Sequence, residues 1–325
     1  MKILITGGAG FIGAHLANYA LKEGHTVHIC DNNIRGIKDL FIDNLINHGV
    51  KFIKCDVTQA EELLKLDKDY DTVFHLAAIN GTENFYKIPY TVMSVGILST
   101  VNLLERYGNK GVKFIFSSSS ETYASTLKFR DELIPTPETI ELCVEDIFNP
   151  RFSYGGSKIT CELLIANYAH QYELDYQIIR FHNIYGPRMG FKHVIPQFIK
   201  RAYDKENPFV IFGSEQTRAF CYIEDAIKAV YDLSNTNNNG IFHIGNDLEE
   251  IKIIELAKKI ASYDPDFQIK KPPQGSVERR CPDISLIRKF INFKPQHNLD
   301  NGLKKTIQWY NNYYSNNDIP NSQFL

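Results

Sequence analysis

Residues 2–13, KILITGGAGFIG, put four glycines directly after a short apolar run and directly before a helix-periodic one. Glycines 8, 10 and 13 meet the G-x-G-x-x-G spacing, and Gly7, Gly10 and Gly13 meet the related T-G-x-x-G-x-x-G spacing. Both spacings serve the same physics. They give a tight turn, a backbone without Cβ beside a pyrophosphate, and free N–H groups at the positive end of a helix. A chain that opens strand–glycine turn–helix is committed to an α/β fold whose first unit holds a dinucleotide. Asp31 ends the second apolar run, TVHICD. There a carboxylate accepts from both ribose hydroxyls and repels a 2'-phosphate, so NAD is expected rather than NADP. Arg35, a few residues on, is the competing feature, since it would suit a phosphate.

The rest of the first half keeps the same rhythm. Apolar runs at 2–6, 26–31, 50–57, 72–78, 112–120 and 176–186 alternate with helical patterns at 11–22, 88–107 and 153–172. That order implies a parallel sheet. Beyond it the pattern is less regular: helices near 195–204, 224–233 and from 251, with strands at 209–213 and 241–245. The expected architecture is a Rossmann-type doubly wound parallel sheet over residues 1–180, with a return near 220–245. A smaller α+β substrate lobe occupies most of 181–315, and residues 316–325 form a tail. The Asn-rich stretches 235–239 and 311–317 read as a loop and a frayed end.

Bulk properties narrow the function. A chain of 325 residues supports a large core in two lobes. A net charge of -2 gives no broad basic field, so no nucleic-acid partner is expected. The six cysteines have no metal-ligand spacing and read as reduced thiols, so no metal is expected and the location is read as cytoplasmic. No apolar stretch is long enough for a signal peptide or a membrane span.

The stretch NPRFSYGGSKITCELL, residues 149–164, stacks Tyr154 and Lys158 on one helix face. Gly155 and Gly156 between them cost helix stability, about 1 kcal/mol each, which implies that cofactor or substrate approaches the backbone there. A run of hydroxyls, FSSSSETYAS at 116–125, falls at the carboxyl edge of the sheet, where ligands of such folds bind.

Together these features resemble the extended short-chain dehydrogenase/reductase superfamily, in its NAD-dependent nucleotide-sugar epimerase/dehydratase branch, over the chain to about Trp309. The resemblance implies Tyr154 as acid/base on the sugar hydroxyl and Lys158 as the group that binds the nicotinamide ribose and lowers the phenol pKa. A free phenol titrates near ~10, and holding it ionised near neutrality takes about 4 kcal/mol. The S-S/T-x-x-x-Y register, fixed by Tyr123, makes Ser119 the orienting hydroxyl with Ser120 beside it on the substrate; Ser118 is a lesser candidate. Glu121 falls where related dehydratases and decarboxylases carry an acidic base. The remaining cofactor contacts implied are Gly7, Gly10, Phe11, Ile12, Gly13, Asp31, Asn32, Asp56, Val57, Leu76, Ala77 and Ala78.

RFHNIYGPRM (180–189) resembles the segment whose asparagine, here Asn183, approaches the diphosphate. FGSEQTRAFCYIEDA (212–226) and RRCPD (279–283) resemble the segments that place arginines on it, hence Arg218 and Arg280. The expected reaction is oxidation at C4 of a nucleotide-diphosphate sugar, a 4-epimerase or 4-dehydrogenase. HLAAINGTENF (75–85) with RFHNIYGP leans towards GDP-sugars, and NPRFSYGGSK towards UDP-glucuronate decarboxylases. The alternatives are a 4,6-dehydratase, a 3,5-epimerase or a UDP-glucuronate decarboxylase using Glu121, and, remotely, a non-catalytic NAD-binding scaffold. The family pairs the helices at 88–107 and 153–172 across a two-fold axis, so a homodimer or higher homo-oligomer is expected.

Overall fold

The structure, a computed structural model, describes residues 1–34, 39–108 and 111–316. Its first half runs β1 (Lys2–Thr6), α1 (Phe11–Lys22), β2 (Thr26–Asp31), α2 (Leu40–Asn47), β3 (Lys51–Lys54), β4 (Thr72–His75), α3 (Thr82–Lys87), α4 (Pro89–Tyr107), β5 (Lys113–Ser119), α5 (Ser153–Tyr172) and β6 (Tyr176–Phe181). The second half continues through β7 (Ile184–Tyr185), α6 (Val194–Tyr203), β8 (Phe209–Phe212), β9 (Thr217–Ala219), β10 (Cys221–Tyr222), α7 (Ile223–Ser234) and β11 (Gly240–Ile244). It ends with β12 (Glu250–Lys252), α8 (Ile253–Ile260), β13 (Phe267–Lys270), β14 (Arg279–Arg280), α9 (Ser285–Phe290) and α10 (Leu299–Ser315).

Seven strands form one sheet in the order β3-β2-β1-β4-β5-β6-β11, every neighbour parallel. This is the Rossmann-type sheet that the alternation implies. The strands of its centre are apolar on both faces because helices cover both. Ile3, Ile5, Ile29 and Phe74 enter the core that continues into the second half, while Leu4, Cys30, Val73 and Phe114 pack under α4 and α5. Strand order reverses between β1 and β4, so the turns after these two strands part and leave a crevice at their carboxyl ends. The smaller sheets β12-β9-β14, β13-β8 and β10-β7 carry Arg218, Arg280 and their neighbours.

Some elements differ from the sequence reading. The third strand stops at Lys54 and the fourth at His75, because the residues after them turn into loops at the crevice. Leu40–Asn47 and Leu299–Ser315 are helices that the reading left out. The second of these runs through most of the Asn-rich stretch taken for a frayed end, held down by buried Leu303, Tyr310 and Tyr314. Arg35 and residues 317–325 of the expected tail lie outside the described residues.

Candidate active site

The glycine turn is built around its own missing side chains. Gly7 has a φ of +65°, and a Cβ on it would stand 2.9 Å from the backbone of Ala77, after β4. A Cβ on Gly13 would come within 2.4 Å of the Gly7 carbonyl oxygen. The turn therefore folds against itself and across the switch point at once. It delivers an N-terminus of α1 that no side chain caps, at Gly10. Phe11 and Ile12 are its first residues, half-buried against the core.

Asp31 is buried at the end of β2, where its carboxylate accepts from the Ala9 N–H at 3.2 Å and the Asn33 N–H at 2.9 Å. The residue expected at the adenosine ribose thus also pins the glycine turn. Asn32 donates to the Asp56 carboxylate at 3.1 Å, tying the ends of β2 and β3, and the Val57 carbonyl receives the Asn102 amide at 3.1 Å. Thr6 Oγ1 accepts from the Ala77 N–H at 3.2 Å, which fixes Leu76, Ala77 and Ala78 beside the turn. The cofactor residues expected from the sequence converge on one crevice. A bare helix N-terminus, a cradle that a Cβ would fill and a buried carboxylate fit an adenine dinucleotide without a 2'-phosphate.

Tyr154 and Lys158 lie on the first two turns of α5 and both are buried. The Tyr154 ring stacks on Phe85, with centroids 5.0 Å apart. Lys158 Nζ lies 5.6 Å from the Tyr154 ring centroid, donates to the Ser117 carbonyl at 2.6 Å and rests 4.5 Å from the Phe116 ring centroid. Burial pulls the ammonium pKa down to about 8, with Cys161 and Glu162 opposing. Lysine is thus still charged at neutral pH, beside the phenol.

Ser119 ends β5 and caps the 3-10 turn Ser120–Tyr123, accepting from the Glu121 N–H at 3.2 Å. Ser120 is buried within that turn. Ser118 points elsewhere. Its hydroxyl donates to Glu162, which Arg180 also holds through a buried two-point contact at 3.0 and 2.7 Å, so Ser118 belongs to the core.

Glu121 pairs with Arg280 at 2.9 Å and with Arg151 at 2.8 Å. Burial pushes its carboxyl up, but the charges and hydrogen bonds of Arg280 and Arg151 outweigh it and hold the pKa down to about 2. Two guanidiniums face one carboxylate, and Arg280 Nε is buried with no hydrogen-bond partner. The expected approach of a ligand at Gly155 is corrected here: a Cβ on Gly155 would stand 2.5 Å from the Glu121 carbonyl oxygen, so the group that needs the glycine is the chain's own turn. A Cβ on Gly156 would meet only Val144 Cγ2, at 3.9 Å.

Asn183 has a φ of +42° and donates to the Ala219 carbonyl at 3.0 Å. Arg218 points its terminal N–H groups at the Thr217, Glu278 and Val277 carbonyls and at Gln216 Oε1. Arg280 is on Glu121. The two arginines expected on a diphosphate are therefore engaged with the protein's own groups.

Three side chains escaped the sequence reading. Arg151 lies three residues before Tyr154, inside the stretch that drew attention, yet no spacing rule marks it. Arg188 is buried and donates to the carbonyls of Ala9 and Gly10 at 3.0 Å each and to Asp39 at 2.7 Å, tying the segment after β7 to the glycine turn. Phe85 contacts Tyr154 only through the fold.

Among the described residues no group of His, Cys, Asp and Glu is arranged to hold a metal ion, and no helix is long and apolar enough to cross a membrane. The chain is 32% identical to the UDP-N-acetyl-alpha-D-glucosaminuronate decarboxylase of Bacillus cytotoxicus, over 95% of this chain and 97% of that one. Among solved structures it superposes on the UDP-glucose 4-epimerase of Thermotoga maritima with a TM-score of 0.84 at 28% identity, covering 97% of this chain and 100% of that one. The UDP-glucuronic acid 4-epimerase of Bacillus cereus, solved with NAD, gives a TM-score of 0.81 at 28% identity, over 97% and 100% of the two chains. The profile of the NAD dependent epimerase/dehydratase family matches residues 3–245. The glycine turn, Asp31, Tyr154 and Lys158 thus sit in a chain that belongs to the NAD-dependent epimerase/dehydratase family, an enzyme whose cofactor is NAD.

Proposed function

We propose that the chain oxidises C4 of a nucleotide-diphosphate uronic acid and that the resulting 4-keto uronate loses carbon dioxide. Tyr154 takes the proton of the C4 hydroxyl. Lys158, charged below about pH 8, makes that phenol a stronger acid. Ser119 orients the same hydroxyl. Bound NAD supplies the hydride acceptor, and its place is the crevice formed by the glycine turn, Asp31 and the loop after β4.

The observation that carries the choice of outcome is Glu121 held between Arg151 and Arg280. A dehydratase or 3,5-epimerase needs a base for the C5 proton, and a carboxylate with a pKa of about 2 is a weak one at neutral pH. A 4-keto uronate needs none. Its carboxylate is β to the ketone, so the C5–C6 bond breaks with its electron pair passing to the C4 oxygen as an enolate, which a proton then quenches at C5. In this reading Glu121 orders the arginines, and the excess positive charge of Arg151 and Arg280 receives the substrate carboxylate. The UDP-uronate decarboxylase at 32% identity supports this outcome, and the relatives named above favour UDP over GDP.

A 4-epimerase is the second reading, favoured by the fold's likeness to the two solved epimerases. Incubation with UDP-glucuronic acid, its N-acetylated analogue and neutral UDP- and GDP-sugars separates the two by product mass. Loss of carbon dioxide from a uronate supports the proposal; an unchanged mass with inverted C4 refutes it.

A further inference from the structure

The diphosphate of such a substrate carries negative charge, and the cations expected to meet it are already engaged. A cavity of about 310 Å³ is lined by Asn183, Lys192, Arg201 and Arg218, with Thr82 and Pro273 also in its wall. Arg218 gives its terminal N–H groups to three carbonyls and to Gln216, and burial, with Arg280 and Arg151 nearby, lowers its pKa to about 9. Arg201 donates to the Val210 carbonyl and faces Glu206 at 3.8 Å. Moving either towards a ligand would strand backbone oxygens.

Lys192 is held differently. Its ammonium pairs with Glu83 of α3 at 2.5 Å, and the two side chains are 37% and 35% exposed. Exposed ion pairs contribute little to stability, whereas a phosphate offers a cation several charged acceptor oxygens. Nor would Glu83 be left alone, because Lys87 pairs with it at 2.5 Å. The same helix reaches the second half of the chain a second time, where the Tyr86 hydroxyl donates to the Gln274 carbonyl at 3.0 Å, next to Pro273 of the cavity wall.

We infer that Lys192 is a substrate-binding residue that exchanges Glu83 for the diphosphate of the nucleotide sugar, with Glu83 acting as an internal competitor that sets the affinity. This rests on the nucleotide-sugar reading above. In the exchange the ammonium trades one anionic partner, the Glu83 carboxylate, for another, a phosphate. Glu83 would thereby weaken binding of product nucleotide as well as substrate, which favours release.

The test is calorimetric titration of UDP and of uridine into the full chain and its Lys192→Met, Glu83→Gln and doubly substituted forms, each first checked for unaltered NAD binding. For UDP, Lys192→Met weakens binding roughly tenfold, the loss of one charge-assisted contact, and Glu83→Gln tightens it about threefold to tenfold. The double variant binds like Lys192→Met, because without the lysine the competitor has nothing to compete for. Uridine, lacking phosphate, does not distinguish the four proteins. UDP binding unchanged by Lys192→Met, or tightened by Glu83→Gln even in the Lys192→Met background, overturns the inference while leaving the nucleotide-sugar reading in place. A parent protein that binds neither UDP nor GDP overturns that reading and the inference with it.

Discussion

Gly155 lies so close to Glu121 that a β-carbon on it would stand 2.5 Å from the Glu121 carbonyl oxygen. The helix that carries Tyr154 and the turn that Ser119 caps are thus in backbone contact, one residue from Tyr154 and two from Ser119. Gly155→Ala must push the turn away, and overpacking of this kind costs about 1–3 kcal/mol. It should lower both the melting temperature and turnover. A Cβ on Gly156 would meet only Val144, at 3.9 Å, and Gly156→Leu should cost turnover more than melting temperature. Equal stability and activity of Gly155→Ala and the parent would disprove the coupling.

Glu121 contributes to stability in a defined pH window. Its folded pKa of about 2 lies below the ordinary 4.5, so its stabilisation is present in full above about pH 4.5 and is lost as pH falls towards 2. Glu121→Gln leaves the two arginines without their counter-charge and should destabilise the protein at neutral pH. It should also flatten the acid limb of a stability–pH curve. An unchanged acid limb would mean that the carboxylate is not held as described.

Lys158 behaves in the opposite sense. Its pKa, lowered to about 8 from 10.5, means that burying the charged form costs stability at neutral pH, and the cost fades as pH rises from 8 to 10.5. Activity should fall over the same range as the ammonium loses its proton. Melting and rate profiles that run in opposite directions above pH 8, with the melting trend removed by Lys158→Met, are the expected result.

Asp31→Asn keeps one acceptor oxygen, enough for either the Ala9 or the Asn33 N–H but not for both, and removes the charge. It should reduce the preference for NAD over NADP about tenfold or more, with little change in fold. Asp31→Ala should in addition weaken NAD binding, because the glycine turn loses its anchor. Equal affinity of the parent for both cofactors would contradict this.

On α4 and α5, Val92, Leu103 and Ile165 are spent inside the subunit, but Tyr90, Met93, Leu98 and Leu163 remain exposed. We propose that this face pairs with a second copy in a helix bundle. Sedimentation should give a dimer at micromolar concentration, and Leu98→Glu with Leu163→Glu a folded monomer. A monomeric parent would refute the pairing.

Much of this was legible in the sequence wherever one local rule governs. The glycine spacing, Asp31 at a strand end and Tyr154/Lys158 at helical spacing each follow from a single element. α1, β2 and α5 have the bounds that their periodicity gives. What stayed hidden depends on chain segments that meet only in the fold. The arginines on Glu121 come from positions 151 and 280, and Glu83 and Lys192 are more than a hundred residues apart. Arg218 is expected on the diphosphate from its segment, and nothing local announces that carbonyls of residues 277 and 278 face it. Gly155 was correctly singled out, but for an approach that turned out to be internal.

The most direct measurement is the turnover of UDP-glucuronic acid by Tyr154→Phe, with circular dichroism and NAD titration on the same sample. The substitution deletes one oxygen and leaves the stack on Phe85, so fold and NAD affinity should match the parent. Release of carbon dioxide should fall by at least roughly a hundredfold to ten-thousandfold, the range for a lost general acid/base. Near-normal release by Tyr154→Phe would contradict the account at its centre.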